Sequence, residues 1–246
     1  RIKALLGEQL QIEKSLPQFA QRLDEPTEKK KFATRPEPRP SPEQRRVKLS
    51  ITDFDGLKSD PFSFYAKRIL RFRAMDRVDA EPTHAWRGTL VHDILQHWFQ
   101  QDDCAPEKLI ARAEALLTDG TLDPLLRTLG QPRIADGLRW IANETQRMRD
   151  EEGRRLLIAE EEGTMELLGV PIKGRADRID ALADGSLVII DYKTGMPPKP
   201  KQLNAGFALQ LGLVGLMAER GVIKGVKGNA LRFEYWSLAK NKDRDF

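Results

Sequence analysis

A single cysteine, Cys104, is the only thiol in this sequence. An internal disulfide framework, a cysteine-based zinc site and an iron–sulfur cluster each need at least two sulfurs from the chain, so all three are excluded. Long apolar runs are missing as well. No stretch approaches the roughly 20 consecutive apolar residues of a membrane helix, and the first residues hold neither an apolar signal region nor a cleavage site. The chain therefore reads as soluble and cytoplasmic, with no membrane partner. Charge of one sign is also lacking: 41 Lys and Arg against 37 Asp and Glu leave only +4, too weak a field to argue for a polyanionic partner by itself.

What is present suffices for a globular domain, since 40% of the 246 residues are hydrophobic. The chain opens at Arg1 without Met and stops at Lys240-Asn241-Lys242-Asp243-Arg244-Asp245-Phe246 with no closing element, which suggests a fragment of a longer protein. Residues 4–23 have helical periodicity (Leu5, Ile12, Leu16, Phe19, Leu23), so 1–24 read as the helical tail of a preceding domain. Residues 25–48 interleave five prolines with Lys and Arg, the composition of an extended, solvated linker. The main domain is expected over 49–246.

That domain begins with helical patterns. Ser50 or Thr52 can cap a helix running to Pro61, and further helices are expected over Phe62–Arg71, Arg87–Gln100, Pro106–Leu117 and Ile134–Gly153. From Leu156 the period drops to two, giving strands at 156–162, 164–170, 172–181 and 187–193, with Asp184-Gly185 as a hairpin turn between the last two. Residues 202–220 return to helix and 228–238 to strand. The fold class is mixed α/β or α+β: a helical prelude, a hairpin-centred sheet and a helix packed on it.

The chemistry concentrates in Gly174-Arg175-Ala176-Asp177-Arg178-Ile179-Asp180 and Leu187-Val188-Ile189-Ile190-Asp191-Tyr192-Lys193-Thr194-Gly195. Residues two apart in a strand share a face, so Asp191 and Lys193 project together while Val188, Ile190 and Tyr192 project oppositely. Asp177 and Asp191 lie symmetrically about residue 184, which sets them opposite each other, or one step apart, on neighbouring strands. Two carboxylates this close repel unless a divalent cation lies between them, and aspartate oxygens suit Mg²⁺ or Mn²⁺. Lys193 beside such a metal can stabilise charge on a phosphate or help deprotonate a water. The other reading is a charged triplet on a solvated strand, with Asp177-Arg178 as a plain surface salt bridge. Against it stands the apolar run Leu187–Ile190, the mark of a strand covered on both faces.

These residues, with Gly88-Thr89-Leu90-Val91-His92 and Gln210, resemble the nuclease domains of the RecB and AddB group within the PD-(D/E)XK superfamily, over residues 49–238. The likeness is strongest to the C-terminal part of AddB-type helicase-nuclease subunits of α-proteobacteria. The resemblance implies a restriction-endonuclease-like core and a Mg²⁺-dependent deoxyribonuclease, an exonuclease acting on single-stranded DNA during recombinational repair of double-strand breaks, beside an AddA-type partner subunit. It makes His92, Asp177 and Asp191 metal ligands, with the backbone carbonyl of Tyr192, and Lys193 the catalytic lysine. Gln210 reaches toward the site, and Gly88 allows close backbone approach. A tyrosine often found four residues after the glutamine is here Val214, so a phosphate ligand is missing. Where many AddB-like domains carry a cluster-binding cysteine, this chain has Asp60 before Pro61. His84 and His97 are read as packed or surface residues, and Arg175, Arg178, Lys199 and Lys201 as cations able to track a phosphate backbone.

Overall fold

The computed structural model describes residues 5, 7, 15–25, 32, 34–73, 75, 84–118 and 131–239. Two compact units result, Arg1–Pro40 and Ser41–Phe246. In the first, helix α1 (Ser15–Asp24) buries none of its side chains; the expected helical start from residue 4 falls largely outside the described residues.

In the second unit the order is β1 (Leu49–Ser50), α2 (Ile51–Ser59), α3 (Pro61–Phe64), a π-helical turn (Tyr65–Ile69), α4 (His84–Asp102), α5 (Pro106–Thr118), α6 (Gln131–Glu152), β2 (Arg155–Leu167), β3 (Val170–Ala181), β4 (Leu187–Lys193), α7 (Pro200–Asn204), α8 (Gln210–Glu219) and β5 (Ala230–Ser237). The sheet is mixed. β3 runs antiparallel to β2 and to β4, while β5 lies parallel to β4 and β1 parallel to the start of β3.

Each face of the sheet buries its own core. Val188, Ile190 and Tyr192 of β4 pack with Val91, Ile94, Leu95 and Trp98 of α4 and with Leu109, Leu138 and Ile141 of α5 and α6. Leu187 and Ile189 point the other way, onto Ile51 and the α8 residues Leu211, Val214 and Met217. β4 is thus the middle of a helix–sheet–helix sandwich, which is why its sequence is an unbroken apolar run. Truncating a fully buried side chain such as Ile190 to alanine costs about 2–5 kcal/mol.

Three expectations need correction. The strands expected at 156–162 and 164–170 are one strand, β2, because Gly163 is a close approach and not a turn: a Cβ there would stand 3.0 Å from the Val222 carbonyl oxygen. The turn falls instead at Leu168-Gly169, both with positive φ (51° and 76°), the geometry of a tight hairpin. The helix expected over 202–220 breaks between α7 and α8, where Gly206 takes φ 67°, Lys58 donates to the Ala205 and Gly206 carbonyls and the Asp55 carboxylate receives the Leu209 N–H. The helix expected over Phe62–Arg71 passes through the π turn and ends at Arg71 with φ 59°.

Candidate active site

The site forms where β3 and β4 part. Their ladder pairs Ile179 with Ile189 and Arg178 with Ile190, so the next step sets Asp177 against Asp191, as their symmetry about residue 184 requires. The ladder is not continued there by main chain: the Asp177 Oδ2 accepts the Tyr192 N–H at 2.9 Å. A side chain has taken a backbone carbonyl's place, and that prises the strands apart.

Against Asp177 stand two groups from other elements. His92, on α4, shares its Nδ1 with Glu160 Oε1 at 2.5 Å and stands 3.7 Å from Asp177 Oδ1. Glu160 lies in β2 with φ 58°, a left-handed conformation rare for a side chain of this length. That local kink accompanies a slip in β3: Ile172 and Ala176 face one core, and the next residue of β3 to face it is Ile179. The other oxygen of Glu160 takes the Arg175 Nε at 2.7 Å. One ligand atom from each of His92, Glu160 and Asp177 can be chosen so that all three lie within 4.8 Å of one another.

Asp191 is 2% exposed, and neither of its oxygens receives a well-aimed hydrogen bond. The Lys193 ammonium stands 2.7 Å from Oδ2 as an ion pair, and the same nitrogen donates to Gln210 Oε1 at 3.3 Å. Gln210 is able to do this because the break before α8 makes it that helix's first residue.

The electrostatics follow from this crowding. Burial pushes the Asp177 carboxyl up to about 7; His92 opposes the shift, while the charges of Asp191 and Glu160 add to it. Asp191 is raised by burial too, against the pull of Lys193. For His92 burial acts downward, but the Glu160 hydrogen bond and the charges of Asp177, Glu160 and Asp191 outweigh it and raise the imidazole. Two buried carboxyls that resist ionisation, Asp177 and Asp191, the latter with neither oxygen hydrogen-bonded, stand beside His92 and Glu160 in an arrangement that fits a divalent cation. The carboxylate oxygens suit Mg²⁺ or Mn²⁺, and the imidazole beside them favours Mn²⁺ over the harder Mg²⁺.

The structure brings His92, Asp177, Asp191, Lys193 and Gln210 to one place. Tyr192 contributes main chain there, since its ring is buried on the α4 side. Glu160 was not singled out by the sequence: it opens a Glu160-Glu161-Glu162 run that looks like a solvated strand, and only its partner 68 residues earlier distinguishes it. Other expectations shift. Arg178 neither tracks phosphates nor pairs with Asp177. It is buried, forked onto Asp180 by two bonds of 2.7 Å, bonded to Thr145 and laid over the Trp236 ring. Gly88 does not need its missing Cβ, for the nearest atom would be Thr194 Oγ1 at an ordinary 3.8 Å. Val214 is core. His97 is exposed and bonds the Asp93 carbonyl, the His84 side chain lies outside the described residues, and Cys104 is a buried free thiol pushed up to about 11 by burial. Lys199 and Lys201 are exposed at the start of α7.

Among the described residues no helix is long and apolar enough to cross a membrane. The chain is similar to uncharacterized proteins of Rickettsia bellii (28% identical over 69% of this chain and 21% of that protein), Rickettsia conorii (29%, over 72% and 22%) and Rickettsia typhi (28%, over 69% and 21%). It thus spans about a fifth of the length of these relatives. A family model, that of the PD-(D/E)XK nuclease superfamily, matches residues 48–246, which hold every element of the site. The chain belongs to the PD-(D/E)XK nuclease superfamily.

Proposed function

We propose that the domain is a metal-dependent deoxyribonuclease which hydrolyses single-stranded DNA, working as the exonuclease module of a cytoplasmic helicase-nuclease of the RecB and AddB type. The observation that carries the reading is the chain Gln210–Lys193–Asp191 standing beside the His92, Glu160 and Asp177 cluster. A bound Mg²⁺ or Mn²⁺ would supply an activated water and a Lewis acid at the scissile phosphate. His92, Glu160, Asp177 and Asp191 would hold it, with the main chain at Tyr192. Lys193, kept in place by Asp191 and Gln210, offers its ammonium to the charge that grows on the phosphate oxygens as water adds to phosphorus and the P–O ester bond breaks. The resemblance of the motifs supports an AddA-type partner and a role in recombinational repair of double-strand breaks.

The test is cleavage of end-labelled single-stranded DNA in Mg²⁺ or Mn²⁺ by the chain and its Lys193→Ala and Asp191→Ala variants. Cutting that needs metal and vanishes in both variants supports the reading. A chain that neither cuts nor binds Mn²⁺ by calorimetry overturns it in favour of a binding module that retains the fold.

A further inference from the structure

The segment from Phe62 to Arg73 holds four aromatic residues (Phe62, Phe64, Tyr65, Phe72), four basic ones (Lys67, Arg68, Arg71, Arg73) and no acidic one. Its end is built to a shape. The Leu70 N–H donates to the Tyr65 carbonyl at 3.0 Å and the Phe72 N–H to the Ala66 carbonyl at 2.9 Å, and between them Arg71 is held at φ 59°. A left-handed arginine is a costly conformation, and here two hydrogen bonds fix it. The turn presents Phe72 65% exposed and brings it, with Arg73, to the rim of a groove of about 700 Å³. The groove's α2 wall carries small side chains, Thr52, Gly56 and Ser59, and open space lies over Gly56.

The acids that line this groove are already occupied. Asp53 is paired with Arg68 at 2.6 Å, and the Asp60 carboxylate caps α3 by accepting the Ser63 N–H. Lys67 and Arg73 form no ion pair among the described residues. What faces outward is therefore two unspent cations beside an exposed ring, over a wall of small side chains. Charge that follows a backbone, combined with an aromatic face on which a base can stack, is the combination that holds unpaired nucleic acid strands. In the sequence Lys67, Arg68 and Arg71 fall between the exposed rings Phe62 and Phe72, so aromatic and basic residues are interleaved along the segment.

Helix α2 borders both the groove and the segment that leads into α8. The face of α2 that carries Asp55 and Lys58 holds the chain entering α8 at Gln210, the partner of Lys193, while Thr52, Gly56 and Ser59 of the same helix line the groove. We propose that the groove between α2 and the Phe62–Arg73 segment is a track for single-stranded nucleic acid, with Phe72 as a stacking platform and Lys67 and Arg73 as phosphate ligands. That the strand continues to Lys193 rests on the nuclease reading; that it binds here does not.

The experiment is fluorescence anisotropy of a labelled oligothymidylate with the chain in EDTA, so that nothing is cut. The variants are Phe72→Ala, Phe72→Trp, the double Lys67→Glu/Arg73→Glu, and Lys173→Glu as a charge reversal elsewhere on the surface. Phe72→Ala is expected to weaken single-strand binding about tenfold and duplex binding little, with Phe72→Trp restoring it. The double variant flattens the dependence of log affinity on log salt by about 0.7 for each phosphate that is no longer neutralised. Binding unchanged in the groove variants, or lowered no more than by Lys173→Glu, overturns the inference and leaves the surface to a protein partner. Loss of single strand and duplex alike removes the stacking role. In parallel, Mn²⁺-dependent hydrolysis of a small chromogenic phosphodiester, which is too short to need the groove, reads the nuclease site alone. If oligothymidylate binding falls as expected while no diester is hydrolysed, the groove stands and the nuclease reading fails; if the diester is hydrolysed while the groove variants bind like the parent, the nuclease reading stands and the groove fails.

Discussion

The Asp177 carboxylate receives the backbone N–H of Tyr192 at 2.9 Å, at the step where a β3 carbonyl would otherwise have closed the ladder to β4. One oxygen of Asp177 thus opens the fork and the other faces His92. Asp177→Asn preserves an acceptor for Tyr192 and removes the charge, whereas Asp177→Ala orphans a buried N–H, which costs about 1–3 kcal/mol. Both are expected to abolish metal-dependent cleavage, but only the alanine variant should lower the unfolding midpoint of the metal-free protein. Equal midpoints in the two would show that the hydrogen bond does not hold the fork.

The same carboxyl sets a pH dependence. Its ordinary value near 3.8 is pushed up to about 7 by burial, so the folded chain holds a proton there that the unfolded chain has lost. The folded state binds more protons between these values, and its stability must fall as pH rises from about 4 to about 7 and level off beyond. His92, also raised, adds in the same direction above its ordinary value. Other carboxylates, such as Glu234 beside Arg154, are lowered and act oppositely at more acidic pH, so the comparison is between the parent chain and Asp177→Asn. In EDTA the thermal midpoint of the parent should drop relative to the variant across this window, and saturating Mn²⁺ should erase the drop. Parallel curves without metal would refute the assignment.

Much of this was open to reading from the sequence. The apolar run Leu187–Ile190 ending in Asp191-Tyr192-Lys193 gave β4 its true bounds, because a strand buried on both faces has no other way to look. The Asp177 to Asp191 pairing followed from arithmetic about the turn. What escaped was set by distant partners. The break that makes Gln210 a helix start depends on Asp55 and Lys58, about 150 residues away. The break expected between strands 156–162 and 164–170 does not occur at Gly163, whose crowding by Met217 and Val222 is tertiary. Arg178 looked like a surface cation because nothing local says that Thr145 and Trp236 will close over it.

Arg178 and Asp180 are buried together, and removing one partner strands the other's charge. Arg178→Ala is expected to destabilise the domain by about 3–5 kcal/mol, while Arg178→Met combined with Asp180→Leu should recover most of the loss. Chemical denaturation of the parent, the single and the double variant measures this directly. A double variant no more stable than the single would mean that the Arg178 bonds to Thr145 and, at 3.4 Å, to the Tyr192 hydroxyl, and not the ion pair, carry the cost.

Gln210 touches Lys193 and no residue of the His92, Glu160 and Asp177 cluster in the described network. Gln210→Ala should therefore leave Mn²⁺ affinity unchanged and lower kcat, by about tenfold for one lost hydrogen bond to a charged group. Gln210→Glu restores an acceptor and should recover part of the rate. Calorimetry with Mn²⁺ and single-turnover cleavage separate the two effects, and a matching loss of metal affinity would place Gln210 in the metal's own shell.

Glu160 links His92 to Arg175, and its removal should be felt at both ends. The imidazole is raised only because the Glu160 hydrogen bond and the nearby carboxylates outweigh burial, so Glu160→Gln tilts the balance back and the His92 titration should move to lower pH. Mn²⁺ affinity should fall by about 10–100-fold, the range for losing a group that orients or completes a metal site. Histidine proton NMR follows the first effect, and calorimetry follows the second. Glu160→Gly serves as the third arm, because glycine relieves the left-handed backbone at φ 58° that glutamine must still adopt. If Glu160→Gly is more stable than Glu160→Gln and equally poor in metal, the protein keeps a strained residue at this point for the charge that it delivers. If metal affinity survives in both, Glu160 serves the fold alone, and His92, Asp177 and Asp191 would hold the cation without it.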